Sequence, residues 1–257
     1  MIRLNKLSKT YDNGVVALRD LDVSFEPGVF TVVIGSSGAG KSTLLRCINH
    51  LEEPTDGTII VSGVGGLRSR ESLRRFRKQT AFIFQQHQLI NRHTALRNVL
   101  LGAVGRHGLV RSILPMPADE VRLGLASLER VGLLDRAFER ADRLSGGQQQ
   151  RVGIARALVQ KAQIILADEP IASLDPTASH RVLSLLRDIC HSENIPVITS
   201  LHQVDFSRRF ADRIIALRHG HLAFDGSAGE LTDDIVRDVY QDDGHSELKN
   251  PDVVQIA

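Results

Sequence analysis

The stretch Gly35–Thr43 reads GSSGAGKST and fits the pattern G-x-x-x-x-G-K-[ST] at every fixed position. It follows a continuous apolar run, Phe30–Ile34, which has the length and composition of a buried strand. A stripe of apolar residues at helical spacing comes after it: Leu44, Leu45, Ile48 and Leu51. A strand that leads through a glycine-rich loop into a helix binds the phosphates of a nucleotide. The sequence therefore predicts an α/β fold built around a site for a nucleoside triphosphate.

Each residue type in this loop suits a phosphate ligand. Glycines let the backbone wrap closely around the phosphate, and the backbone amides and the positive end of the next helix then face its oxygens. Lys41 is expected to reach the β- and γ-phosphates, and the hydroxyl of Ser42 is expected to bind Mg²⁺. The predicted nucleotide-binding residues here are Gly35, Ser36, Ser37, Gly38, Ala39, Gly40, Lys41, Ser42 and Thr43. A chance glycine-rich turn is the alternative, and the flanking strand, helix and Lys-Ser-Thr ending argue against it.

The rest of the chain predicts a sheet domain with two additions. Ile2 and Leu4, then Leu21, Val23 and Phe25, alternate with polar residues and indicate antiparallel strands. Further strands are predicted at Thr58–Val61, Ala81–Phe84, Ile164–Ala167 and Pro196–Leu201, followed by a hairpin of Arg213–Leu217 and His221–Phe224 across His219-Gly220. We therefore expect a phosphate-loop NTPase core that carries an antiparallel β subdomain.

Residues 88–160 lose the strand signal and predict an inserted helical subdomain. Helical spacing recurs there at Val121, Leu125, Leu128 and Val131, before Gly132 as a natural stop. A separate helix is predicted after the strand Ile164–Ala167, with Val182, Leu185, Leu186 and Ile189 at helical spacing. Ser227 and Glu230 fit a capping box for a last helix. We expect residues 1–240 to form one domain and residues 241–257 to form an acidic, flexible tail.

Composition limits the protein class. The chain has 257 residues and a net charge of +2, yet from Asp225 onward it carries nine acidic and two basic residues. Its apolar runs are shorter than the roughly 20 residues of a membrane helix, and its first residues lack the apolar core of a signal peptide. The two cysteines, Cys47 and Cys190, cannot form a disulfide framework. We expect a cytosolic chain, or one on the cytosolic face of a membrane.

A second set of motifs follows the phosphate loop in a fixed order. Leu144–Gln148 reads LSGGQ, IILADEP contains Asp168 and Glu169, and SLDP spans Ser173–Pro176. Tyr11 precedes the phosphate loop, Gln85 follows the strand Ala81–Phe84, and His202 follows the strand Pro196–Leu201. In this order the motifs resemble those of the ATP-binding cassette (ABC) family over residues 1 to about 225. The resemblance implies an ABC ATPase core, with the LSGGQ signature in the helical subdomain.

The resemblance assigns a role to each of these residues. Asp168, Ser42 and Gln85 are expected to bind Mg²⁺, and Glu169 is expected to be the general base for the attacking water. His202 is expected to contact the γ-phosphate and Gln85 the attacking water, while Tyr11 is expected to stack on adenine. Each of these residues, taken singly, also has a non-catalytic interpretation. The two acids could be surface charges, His202 a structural residue, Gln85 part of a polar loop and Tyr11 a half-buried tyrosine at a strand end.

The resemblance also implies a dimer. Its signature residues are expected to bind the γ-phosphate held by the opposite subunit: Ser145, Gly146, Gly147 and Gln148. Asp175 is expected at the same interface. One phosphate loop and one signature in the chain then imply a head-to-tail homodimer that holds two ATP molecules.

Related ATPases act in transport or on nucleic acid, and the sequence offers features for both. Only 60 residues separate Gln85 from Ser145, too few for a long coiled coil. The basic stretch Arg68–Lys78 could bind nucleic acid, although Phe76 is its only aromatic residue. A cassette of this kind resembles the motor of a bacterial importer, peripheral on the cytoplasmic face of the inner membrane and bound to two permease subunits. A non-transport ABC ATPase that acts on nucleic acid is the alternative.

Sequence next to Gln85 indicates the cargo. Phe82–Arg106, together with ILADEPIASLDP and LHQVDF, resembles the phosphonate-importer branch of the family. Phosphonates, delivered by a solute-binding protein, are therefore the expected cargo, with phosphite and phosphate esters as alternatives. His87-Gln88 departs from the Phe-Asn expected there, which puts the permease contact in doubt, and residues 107–117 have no interpretation.

Overall fold

The computed structural model describes residues 1–86, 88–106 and 116–241. In these ranges the strands are β1 (Ile2–Thr10), β2 (Val16–Phe25), β3 (Phe30–Ile34), β4 (Asp56–Val61), β5 (Gly65–Gly66), β6 (Thr80–Ile83), β7 (Ile164–Asp168), β8 (Val197–Ser200), β9 (Arg213–Arg218) and β10 (His221–Gly226). The α-helices are α1 (Lys41–Ile48), α2 (Arg70–Gln79), α3 (Ala95–Val104), α4 (Ala118–Arg130), α5 (Gly146–Gln160), α6 (Pro176–Glu193), α7 (Val204–Phe210) and α8 (Asp233–Tyr240). None of the described helices is long and apolar enough to cross a membrane.

A six-stranded sheet forms the centre of the fold, in the order β10-β9-β3-β8-β7-β6. All its strand pairs are parallel except β9 with β10. Every residue of β3 and of β7 is buried, because helices or the second sheet cover both faces. The ends of β3, β6, β7 and β8 therefore meet at one edge, where ligands bind in such sheets.

A second, antiparallel sheet has the order β2-β1-β4-β5 and confirms the expected antiparallel strands. Helix α1 lies in the core between the two sheets, where Leu44, Leu45 and Ile48 are fully buried. The phosphate loop, which leads into α1, is thus anchored from both sides.

Helices α3, α4 and α5 come between β6 and β7 in the chain, within the range 88–160 for which helices were predicted; residues 107–115 of that range lie outside the described residues. Helices α3 and α5 approach so closely at Gly102 that a Cβ atom there would clash with the carbonyl oxygen of Arg156. Gly132, with φ of 67°, follows α4 as predicted.

Three local predictions are wrong. Leu51 lies beyond the end of α1 and is exposed, so the buried stripe ends at Ile48. Phe84 lies one residue beyond β6. The Ser227–Glu230 capping box begins a 3₁₀ turn, Ala228–Glu230, because the chain then turns inward to bury Leu231. The last helix is capped instead by Thr232. His87 and the predicted tail beyond Gln241 lie outside the described residues.

Candidate nucleotide site

The phosphate loop adopts a backbone that only glycine tolerates at two points. Gly35 has φ of 149° and Gly40 has φ of 104°. A Cβ atom on Gly35 would clash with the carbonyl oxygen of Leu217, and one on Gly40 would clash with that of Ala17. The loop is therefore held in shape by β9 and β2, which come from distant parts of the sequence.

Lys41 is the first residue of α1 and is 4% exposed. Its Nζ donates hydrogen bonds to the carbonyl oxygens of Gly35 at 2.8 Å and Ser36 at 2.9 Å. Burial lowers the pKa of Lys41, while the carboxylates of Glu169 and Asp168 raise it. The ammonium group is thus folded back over the loop, where it can change partners to an incoming phosphate.

Asp168 ends β7 with its carboxylate held by two hydroxyl groups. Ser42 Oγ donates to Asp168 Oδ1 at 2.8 Å, and Ser200 Oγ donates to the same oxygen at 2.9 Å. Mg²⁺ prefers oxygen ligands and usually combines one or two from the protein with phosphate oxygens. The adjacent Ser42 hydroxyl and Asp168 carboxylate fit that ion.

Glu169 follows directly and has φ of 47°, a left-handed conformation that few non-glycine residues adopt. Its backbone N–H donates to Ser200 Oγ at 2.9 Å, which helps hold this turn. The turn carries the Glu169 side chain to His202, whose Nε2 lies 2.6 Å from Glu169 Oε1. The predicted base and the predicted histidine are therefore in contact, although 33 residues separate them.

Lys41, Ser42, Glu169 and His202 face a common cavity of about 310 Å³. Its lining residues are Tyr11, Val15, Ala17, Ser37, Gly38, Gly40, Lys41, Ser42, Thr43, Glu169 and His202. The Tyr11 hydroxyl lies 3.2 Å from Thr43 Oγ1, and Lys9 Nζ lies 5.1 Å from the centre of the Tyr11 ring. The aromatic ring of Tyr11 thus forms part of the cavity wall, as stacking on a base requires.

The other predicted site residues do not line this cavity. Gln85 is exposed and follows β6. Ser145 caps α5 in a reciprocal capping box with Gln148, and both Ser145 and Gly146 are exposed. Asp175 caps α6 by accepting hydrogen bonds from the N–H groups of Thr177 and Ala178, each at 3.0 Å. Within one chain, the signature forms a separate surface.

The sequence analysis missed two residues next to the site. Ser200 joins Asp168 to Glu169, and the parallel register that pairs Asp168 with Ser200 could have located it. Tyr240 donates its hydroxyl to the carbonyl oxygen of His202 at 3.3 Å, and this contact depends on how α8 packs, which no local pattern indicates.

Comparisons with known proteins agree with this geometry. A family model described as ABC transporter matches residues 18–172. A phosphonates import ATP-binding protein from Nostoc sp. is 52% identical over 240 residues, 93% of this chain and 92% of the relative. A phosphite import ATP-binding protein from Stutzerimonas stutzeri is 53% identical over 240 residues, 93% of this chain and 87% of the relative. A dimeric ATP-binding cassette solved in a post-hydrolysis state with ADP and Pi matches with a TM-score of 0.78 and 32% identity, over 89% of this chain and 99% of that chain.

Proposed function

The chain belongs to the ABC transporter family as one of its ATP-hydrolysing subunits, and from that premise we propose that it drives the import of phosphonates. One observation carries the ATPase activity on which the proposal rests: Lys41, the adjacent pair Asp168 and Glu169, and His202 come together at the phosphate loop from three separate stretches of sequence. In this proposal residues 1–240 are one ATP-binding domain.

In the proposed mechanism, the loop amides and Lys41 bind the phosphates of ATP, and Ser42, Asp168 and Gln85 hold Mg²⁺. The ion, when bound, neutralises phosphate charge. Glu169 accepts the proton of the attacking water, and such general-base action is worth about 10²–10⁴ in rate. His202, which contacts Glu169 Oε1 at 2.6 Å, orients that carboxylate and contacts the γ-phosphate.

The proposal includes a head-to-tail homodimer. Exposed Ser145 and Gly146 begin α5, and a helix N-terminus with free amides attracts an anion. In the proposed dimer, Ser145–Gln148 of one subunit bind the γ-phosphate held by the other, and Asp175 lies at the interface. The similarity to a dimeric cassette supports this arrangement.

Two permease subunits are the proposed membrane partners, which would place the chain on the cytoplasmic face of the inner membrane. A groove of about 670 Å³ between α2, α3 and α5 supports docking there. Its basic lining residues are Arg70, Arg74, Arg77, Lys78, Arg106 and Arg156. The groove is tied to the segment after Gln85, because Arg156 donates to the Gln88 carbonyl oxygen at 3.0 Å. A permease segment in this groove could therefore reach the nucleotide site through Gln85.

Helix α2 contains most of the basic stretch Arg68–Lys78, which suggested nucleic-acid binding as the alternative. Phe76, the only aromatic residue of Arg68–Lys78, is fully buried and cannot stack on a base. The relatives are named as import proteins. Transport is therefore the better supported function.

The cargo follows from the relatives. Two relatives named for phosphonates and a relative named for phosphite are equally similar to this chain, at 52–53% identity. Phosphonate is the proposed cargo because the sequence around Gln85 resembles that branch. Phosphite is the second candidate, and phosphate esters are a third. A solute-binding protein would deliver the cargo to the permease.

Uptake by cells that carry the whole transporter tests this function. Labelled methylphosphonate uptake is compared between the unmodified chain, Glu169→Gln and the control Glu129→Gln, an identical change at an exposed position of α4. We expect uptake to need Glu169 but not Glu129, and to persist in excess phosphate. Competition by phosphite at lower concentration than by unlabelled methylphosphonate would identify phosphite as the cargo. Uptake unaffected by Glu169→Gln would refute the proposed function.

A further inference from the structure

Helix α8 is fixed against the elements that hold the nucleotide site. Leu231 and Val239 anchor it in the core, at 3% and 1% exposure. Arg208 of α7 donates to the Leu231 carbonyl oxygen at 3.0 Å and to Asp233 Oδ1 at 2.6 Å. Because α7 begins at Val204, two residues after His202, these contacts link the start of α8 to the helix that follows His202.

A second set of contacts joins α8 to β9. Arg218 donates to Asp238 Oδ1 at 2.6 Å. The residue before it, Leu217, is the one whose carbonyl oxygen closes on Gly35. Helix α8 therefore packs on the strand that shapes the phosphate loop as well as on the helix that follows His202.

Tyr240, the last residue of α8, lies next to both the His202 loop and the phosphate loop. Its hydroxyl donates to the His202 carbonyl oxygen at 3.3 Å. Burial raises the pKa of Tyr240, and a backbone contact with Gly35 lowers it in part. The hydroxyl consequently remains protonated at neutral pH and available as a donor.

His202 needs such a support. It lies between the end of β8 at Ser200 and the start of α7 at Val204, outside regular structure. Its side chain must nevertheless reach Glu169 Oε1, 2.6 Å from Nε2.

We infer that Tyr240 is a positioning residue for ATP hydrolysis: its hydroxyl fixes the His202 backbone so that the imidazole meets Glu169 and the γ-phosphate. The inference rests on the proposed roles of Glu169 and His202. It adds a link from the C-terminal helix to the hydrolytic centre.

Four variants of the full chain test this role: Tyr240→Phe, His202→Ala, their double variant and Asp238→Asn. Tyr240→Phe removes only the hydroxyl. Asp238→Asn weakens the α8–β9 ion pair but keeps the hydroxyl, so it controls for loosening of the helix. Steady-state kcat and KM for ATP are measured, together with single-turnover rates followed long enough to quantify the His202→Ala variants. Thermal unfolding midpoints show that each variant folds.

We expect Tyr240→Phe to lower kcat about three- to tenfold, the worth of one neutral hydrogen bond, with KM for ATP unchanged within about twofold. Asp238→Asn should keep kcat. In the His202→Ala background, Tyr240→Phe should have no further effect, because the side chain that it positions is gone.

The inference would be overturned if Tyr240→Phe lowered kcat equally in the unmodified chain and in the His202→Ala chain, or if it changed only KM. It would also be overturned if Asp238→Asn lowered kcat as much as Tyr240→Phe. Wild-type kcat in Tyr240→Phe would also overturn it, while slow hydrolysis by Glu169→Gln and His202→Ala would leave the proposed function intact. Full hydrolysis by those two variants would instead remove the proposed function and, with it, the basis of this inference.

Discussion

Two helix N-termini of this chain have the composition of an anion site, the start of α1 at Gly40-Lys41 and the start of α5 at Ser145-Gly146. The first is shaped by distant residues, since the carbonyl oxygens of Ala17 and Leu217 close on Gly40 and Gly35. It also faces a cavity that is lined by Glu169 and His202. The second is shaped by its own capping box and is exposed. The phosphate-loop site is thus assembled around a cavity within one chain, whereas in the proposed dimer the start of α5 meets a nucleotide that the other subunit holds.

The largest expected effect concerns the phosphate-loop site. Glu169→Gln should lower ATP hydrolysis about 10²–10⁴-fold, because the amide cannot accept the proton of the attacking water. ATP binding should be retained, since Lys41 and the loop amides are unchanged. Phosphate release and equilibrium binding of a labelled ATP measure the two separately. Glu129→Gln is the matched control, and equal hydrolysis by the two variants would remove Glu169 as the base.

A substitution at the start of α5 should slow ATP hydrolysis without weakening the binding of ATP by the single chain. Gly146→Asp adds a negative charge in the first turn, which favours the helix but repels a phosphate. We expect at least tenfold slower hydrolysis, in line with the loss of a donor to a developing charge. The affinity of dilute protein for ATP should remain within about twofold. A large loss of ATP affinity in dilute protein would mean that this segment binds nucleotide within its own chain.

Mixing the two inactive variants tests whether the sites join across subunits. In a head-to-tail dimer of Glu169→Gln with Gly146→Asp, one site carries both defects and the other carries none. Random pairing gives half heterodimers, so the mixture should recover about a quarter of the unmodified activity. Each variant alone at twice the concentration is the control. A mixture as inactive as its components contradicts the shared site.

The free energy of unfolding should also depend more on the phosphate loop than on the start of α5. Gly40→Ala forces a Cβ atom against the Ala17 carbonyl oxygen at a left-handed φ, and should lower the free energy of unfolding by roughly 2–4 kcal/mol. Ser145→Ala removes only a local cap and should cost about 1 kcal/mol. Urea denaturation measures both.

Gly38→Ala is the control for the Gly40→Ala experiment. Gly38 shares a positive φ but has no atom within 4 Å of an added Cβ. Its substitution should cost about 1 kcal/mol, the intrinsic penalty of the left-handed conformation. Equal losses at Gly38 and Gly40 would show that the clash with Ala17 is relieved by a small shift.

The sequence was sufficient where a pattern is local. The phosphate loop, the strands β3 and β7 and the two acids at the end of β7 were all predicted, since each follows from contiguous residues. Ser200 and Tyr240 were missed because they reach the site through strand pairing and helix packing across 31 and 38 residues. The left-handed turn at Glu169 was missed for the same reason, because its support comes from the Ser200 hydroxyl.

The two thiols offer the mildest test of the difference between the regions. Cys47 lies in α1 behind the phosphate loop, and Cys190 lies in α6, the helix that Asp175 caps. Burial raises the pKa of Cys47 to about 12 and that of Cys190 to about 11. Both pKa values lie above the usual range, so at pH 8 both thiols are protonated in the folded chain and react with a disulfide reagent only after local opening.

MgATP should therefore protect the two thiols unequally. At ten times its dissociation constant, a ligand that is lost on opening slows labelling by about tenfold, so Cys47 should be protected to about that extent. Cys190 should change by less than about twofold in dilute protein, because the nucleotide then contacts only the phosphate-loop site. Cys47→Ser and Cys190→Ser, each labelled alone, separate the two rates. Equal protection of both thiols would mean that α1 and α6 open together, and the nucleotide would then stabilise α6 without a second subunit.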